Sequence, residues 1–224
     1  MRSGQPRHLV ALWLTQPQDL VVTAPKWIIL FWHDVLVGEW ARRVGRLVGM
    51  ETRDVAEAML AVLESGTVEE RVAVVSGLNA SEPVLIKAVG DEWWEVRWAA
   101  AGNVNASERV LMKALEDEGQ WVRWAAAGNA AASERVLMKA LGDKEPVIRR
   151  AAAGNVNASE RVLMRAMGDE DEAVRMTVAR SPRVPYEVAD ELLKSRLLKV
   201  AEALAANEAL PERIRVAARL KAGL

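Results

Sequence analysis

Between Asp91 and Gly168 the chain writes nearly the same string three times: DEWWEVRWAAAGNVNASERVLMKAL from Asp91, DEGQWVRWAAAGNAAASERVLMKAL from Asp117 and DKEPVIRRAAAGNVNASERVLMRAM from Asp143. The period is 26 residues. A repeat of this length is one supersecondary unit that cannot bury its own apolar face, so its copies must stack.

The register extends outward without a gap. Arg71, Arg97, Arg123, Arg149 and Arg175 form one column, which ends at Ala201. The acidic column reads Ser65, Asp91, Asp117, Asp143, Asp169, Ser195, and the column opening the longer helix reads Ser81, Ser107, Ser133, Ser159, Pro185, Pro211. Six units follow, at 65–90, 91–116, 117–142, 143–168, 169–194 and 195–220, with a tail at 221–224. Residues 1–64 are expected to form an amino-terminal helical cap, into which a degenerate repeat fits through Met59 and Leu63.

Each unit reads as two short helices. In the pair that begins at Ser107, the serine is an N-cap. Val110, Leu111, Ala114 and Leu115 then repeat at helical spacing. A polar turn leads to a second helix, Trp121–Gly128, with Val122, Ala125 and Ala126 facing the core. Gly128–Asn129, like Gly102–Asn103 and Gly154–Asn155, is expected to close it in the left-handed conformation. The asparagine columns, Asn103/Asn129/Asn155 and Asn79/Asn105/Asn157, are expected to serve local turn chemistry. Stacking such units predicts an all-α, right-handed α-solenoid.

These residues resemble a known family. Val122–Arg123, Ala125, Ala127, Asn129, then Val136–Leu137 and Leu141, are similar to the leucine-rich repeat variant. Ser181–Glu187 and Asn207–Glu212 resemble the proline-bearing segment of the same repeats, and Ile148–Ala153 resembles HEAT-type repeats. The resemblance implies alternating α and 3₁₀ helices in a right-handed superhelix, and a scaffolding role. The family can carry an amino-terminal cysteine cluster for an iron–sulfur centre. This chain has no cysteine, so that function does not carry over.

Composition narrows the function. Thirty Lys and Arg nearly balance 31 Asp and Glu, which removes the simplest case for a nucleic-acid binder. The absence of cysteine excludes disulfides and thiolate metal sites. His8 and His33 lie far apart and outside the repeats. No acid, base or nucleophile is placed with partners, so the expectation is a non-enzyme with no cofactor and no metal. The apolar run Trp27–Trp32 is fenced by Lys26, His33 and Asp34 and is short of the roughly 20 residues a membrane span needs. A cytoplasmic protein without a membrane span is expected. The wider stretch Lys26–Leu47 reads as a buried helix that caps the stack, with a homodimer surface as the sharper reading.

Two sets of residues stand out as candidate sites. Asp91, Asp117, Asp143 and Asp169 with Arg97, Arg123, Arg149 and Arg175 read as a structural ladder, because each consensus Arg has its own acid. The position after Arg is variable: Trp98, Trp124, Arg150, Met176. Trp93, Trp94 and Trp121 lie beside it, so five of the nine tryptophans fall within 93–124. Val96 and Val122 already fill the inward positions, which turns part of this cluster outward. Packing along the ridge between units is the bland reading. Docking of a protein or peptide on Trp93, Trp94, Trp98, Trp121, Trp124 and Arg150 is the sharper one, with an Arg150 cation–π contact to Trp124, and stacking of a base or sugar is a third. The alternative is a nucleic-acid-binding solenoid that uses its curved surface and the basic segment after Lys194, with Arg196, Lys199, Arg213, Arg215, Arg219 and Lys221.

Overall fold

A computed structural model describes residues 52–194 and 197–224. Among them there are thirteen α-helices and no strand. The expected cap helix at Lys26–Leu47, its homodimer surface, Ser195 and Arg196 lie outside the described residues.

The chain divides into two compact units, Met1–Asn105 and Ala106–Leu224. The described part of the first holds α1 (Thr52–Ser65), α2 (Val68–Ser76), α3 (Glu82–Ala88) and α4 (Trp94–Gly102). The second holds α5 (Glu108–Ala114), α6 (Gln120–Gly128), α7 (Glu134–Ala140), α8 (Pro146–Ala153), α9 (Glu160–Met167), α10 (Glu172–Arg180), α11 (Tyr186–Lys194), α12 (Leu198–Ala206) and α13 (Glu212–Ala222).

Helices this short are marginal alone, so packing must hold them. In the first unit α1 packs on α3 and α2 on α4. In the second, α5, α7, α9, α11 and α13 form one file of successive contacts, and α6, α8, α10 and α12 a second. The expected apolar positions are the buried ones. Val110, Leu111 and Ala114 of α5 and Val122, Ala125, Ala126 and Ala127 of α6 are buried, and the pattern recurs in α7 to α9. Each fully buried Val or Leu contributes about 1.5–3 kcal/mol over an exposed one.

Helix starts follow the serine column. The hydroxyls of Ser107, Ser133 and Ser159 accept from the backbone N–H groups of Val110, Val136 and Val162 at 3.4–3.5 Å. Ser81 makes no such cap bond, and its hydroxyl is buried without a partner. All the helices are α, and the 3₁₀ helices implied by the family resemblance do not occur among the described residues.

Helix ends differ from expectation. Gly223 alone among the described glycines has a positive φ, 73°. Asn103 and Asn129 leave their helices in extended conformation, at φ/ψ of −67°/137° and −65°/132°. The reason is the asparagine side chain, which is buried and works across the stack. Asn155 Oδ1 does the local job, accepting from the Asn157 N–H at 2.9 Å. Its Nδ2 reaches back 28 and 26 residues and donates to the Ala127 and Asn129 carbonyls at 2.8 and 2.9 Å. Asn207 repeats this toward Ala179 and Ser181, and Asn103, within the first unit, toward Val75 and Gly77. The second column does the same nearer the surface: Asn157 donates to Ala130 and Ala132, and Asn105 to Leu78 and Ala80. Local turn chemistry is therefore half of the asparagine role.

Loss of a buried carbonyl's partner costs about 1–3 kcal/mol. Asn155→Ala strands two carbonyls and is expected to lower stability by about 2–3 kcal/mol. Asn157→Ala, at a more exposed site that is Ala131 in the preceding repeat, is expected to cost about 1 kcal/mol or less. Urea midpoints at constant m-value measure both, and equal losses would remove the special role of the buried amide.

Candidate functional site

The ladder residues work at the turn before each second helix. Arg123 Nη1 donates to the carbonyls of Asp117 and Glu118 in its own repeat, both at 2.9 Å. Its Nε donates to Asp143 Oδ2 of the next repeat at 2.7 Å. Arg149 is built alike, with Asp143 and Lys144 carbonyls on one side and Asp169 at 2.7 and 2.9 Å on the other. Arg71 pairs with Asp91 at 3.2 Å, and Arg97 donates to the carbonyls of Asp91 and Glu92. Arg175 donates to the Asp169 carbonyl. Each arginine thus takes backbone from its own repeat, and Arg71, Arg123 and Arg149 take the carboxylate from the following one.

The aspartates are also used twice. Oδ1 of Asp91, Asp117, Asp143 and Asp169 accepts from the backbone N–H two residues on, at 2.8–3.0 Å, and so shapes the turn. The Arg149 and Asp169 side chains are each only 8% exposed. Burial pushes the Asp169 carboxyl up, but the Arg149 guanidinium, the Asp171 N–H and the Arg175 charge outweigh it and hold it below its ordinary value. The hydrogen bond to Asp169 raises Arg149 in turn.

A second set of pairs ties the other file of helices. Glu108 accepts from the Ser133 hydroxyl and pairs with Arg135, and Glu134 does the same with Ser159 and Arg161. The Ser159 hydroxyl and then Arg161 hold the Glu134 carboxyl below its ordinary value. These pairs are largely exposed and individually worth little.

The described tryptophans fall into one group in each unit. In the first, Trp93 precedes α4 and Trp94 and Trp98 lie on it, exposed by 47, 47 and 43%. In the second, Trp121 and Trp124 of α6 are exposed by 53 and 39%. Each ring is therefore half covered and half offered to solvent. Arg150 occupies the matching position on α8, the helix packed against α6, and is exposed. It does not stack on Trp124. The cation–π pair among the described residues is Arg213 over Tyr186, 4.2 Å from the ring centroid.

Other basic residues of the carboxyl-terminal segment are also engaged. Lys194 pairs with Glu191 and Asp190, Arg215 and Arg219 with Glu212, and Lys221 donates to the Leu193 carbonyl. One group escaped sequence reasoning. Glu95 Oε2 on α4 is buried and has no hydrogen-bond partner. The sequence signal was partial: the later repeats carry Trp121, Val147, Ala173 and Lys199 at that position, but the preceding one carries Glu69.

Among the described residues no three His, Cys, Asp or Glu side chains converge as for a metal ion, and no helix is long and apolar enough to cross a membrane. No protein-family model matches the chain, and no curated relative does.

A depressed folded-state pKa means the unfolded chain binds more protons at Asp169. Its contribution is complete above the ordinary Asp value of about 3.9 and is lost as pH falls toward the lower folded value. Asp169→Asn removes that titration. Denaturation midpoints between about pH 5 and pH 3 should therefore fall more steeply for the wild type than for Asp169→Asn. Parallel slopes would mean the pair does not couple to folding.

Proposed function

We propose that the chain is a right-handed α-solenoid of six repeats of roughly 26 residues, working as a non-enzymatic scaffold that binds a protein or peptide through its exposed indoles. The observation that carries this reading is that five tryptophans leave 39–53% of their surface in solvent. A tryptophan offers on the order of 150–250 Å² of contact area. Interface hot spots are enriched in this residue and in arginine. The solenoid itself draws support from the unbroken sequence register and from hydrogen bonds that recur at the repeat spacing.

The nucleic-acid alternative draws less support. Arg213, Arg215, Arg219, Lys194 and Lys221 already have internal partners, which leaves fewer cations for phosphate. A phosphate contact would show as a steep salt dependence of binding.

The test is affinity capture from the native source with wild type and with Trp98→Ala/Trp124→Ala. Both rings lie on helix surfaces, so the variant is expected to keep its thermal midpoint within a few degrees. Partner retention is expected to drop about thirtyfold or more, the scale of one hot spot of 2 kcal/mol. Unchanged capture would overturn the indole reading, and general unfolding would return the rings to a packing role.

A further inference from the structure

The described stretch of the first unit, 52–105, is acidic. Residues 52–105 carry nine acidic and four basic residues, although the whole chain is nearly neutral. Its cations with described side chains are all engaged. Arg71 pairs with Asp91 and Glu92, Lys87 with Glu64, and Arg97 with the Asp91 and Glu92 carbonyls. Two of the acids outside these pairs sit on packed neighbouring helices. Glu95 lies on α4, and Glu69 lies 26 residues earlier on α2, the helix packed against it. Among the described residues neither makes an ion pair.

Glu95 is the more telling of the two. A buried carboxylate oxygen without a donor is costly unless something supplies one. Its neighbours on the helix surface are aromatic. At 100° per residue, Trp98 lies angularly between Trp94 and Glu95, and all three fall within about 100° of arc. Gly102, one turn further on the same face, has nothing within 4 Å of where a Cβ would stand. The approach to the exposed indole of Trp98 is thus open on that side. No other repeat combines these residues. At the Glu95 position the next ones carry Trp121, Val147, Ala173 and Lys199, and at the Trp94 position Gln120, Pro146, Glu172 and Leu198.

We infer that the α4 face bearing Trp94, Glu95 and Trp98 receives an arginine side chain from a basic segment of a protein partner. This rests on the proposed use of the indoles and specifies what they recognise. A guanidinium suits both halves of the site: its flat face stacks on indole, and its N–H fork meets a carboxylate. It is also more weakly hydrated than an ammonium, so it loses less on leaving water for this face. Glu69 adds a second negative charge on the adjoining helix and favours a segment with more than one cation.

The test uses the full chain and a defined probe, the capped peptide acetyl-Ala-Arg-Ala-Arg-Ala-amide. Companion peptides replace arginine with citrulline or lysine, and tetramethylammonium chloride probes a site for small quaternary ammonium ions. Indole N–H resonances of Trp94 and Trp98 are followed on titration. The arginine peptide is expected to shift both and to bind at least tenfold more tightly than the citrulline and lysine peptides. Glu95→Gln, nearly isosteric, should weaken it about tenfold, and Trp98→Ala should abolish the shift while Trp98→Phe retains part of it. Gly102→Leu, placed in open space, should block access with the fold intact. Equal binding of arginine and citrulline peptides, an unchanged Glu95→Gln affinity, or equal competition by tetramethylammonium would each overturn the inference. The parent reading fails separately. If Trp94→Ala/Trp98→Ala loses a captured partner and Glu95→Gln keeps it, the indoles still dock a protein and the arginine assignment falls.

Discussion

A layer made of two helices of seven to nine residues ends almost as soon as it begins, and carbonyls that close its second helix, such as those of Ala127 and Asn129, are met from the next layer. Those carbonyls must find donors inside the protein, because an unsatisfied buried one costs more than a typical hydrogen bond returns. The buried asparagines supply them. Asn155 feeds two carbonyls of the preceding repeat while its own oxygen shapes the following turn. Arg123 and Arg149 do the equivalent at the other end of the second helix, gripping two carbonyls at home and, ahead, Asp143 in the case of Arg123 and Asp169 with Glu170 in the case of Arg149. One polar side chain at each end of the thin helix therefore closes the seam.

Magnitudes separate what stabilises from what specifies. Stacking buries a Val–Leu–Ala set in α3, α5, α7 and α9 and a run of alanines in α4, α6 and α8, and this apolar burial is the larger favourable contribution. Alanine keeps the second helix thin and lets the next approach closely, but it offers few shape cues to set the register. An ion pair such as Arg149–Asp169 adds little net stability over a well-packed apolar pair, since both charges lose water. Breaking one side is another matter, at about 3–5 kcal/mol for a buried partner left alone. Such pairs penalise a slipped stack more than they reward a correct one, which suits a repetitive surface with many near-equivalent alignments.

Much of this was legible in the residues. The 26-residue period gave the helix order, and Ser107, Ser133 and Ser159 marked the starts that the structure shows. The role of Asn155 was only half legible, because an amide that shapes a turn and one that crosses a seam look alike in a string. A further clue was tolerance within the three consensus repeats: Ala131 replaces one member of the outer asparagine column there, while the buried column keeps Asn103, Asn129 and Asn155 and changes beyond them, at Ser181. Likewise the Asp and Arg columns left two pairings open, within a repeat or with the neighbouring one, and Arg123 takes the second, with Asp143, since its reach within the repeat is taken by backbone. Glu95 was missed because a single glutamate on a helix looks like ordinary solvation, and only its buried oxygen sets it apart.

The division of labour leaves the outer face of the second helices free to vary, and there the sequence does vary, from Trp98 and Trp124 to Arg150 and Met176. The claim beneath all of it is that adjacent layers are coupled through side chains that cross the seam. A double-mutant cycle on Arg149→Ala and Asp169→Ala, read from denaturation free energies, measures that coupling directly. The account predicts an interaction of about 1.5 kcal/mol or more, within the range seen for residues in one network. Single-mutant losses that add to within about 0.3 kcal/mol would contradict it.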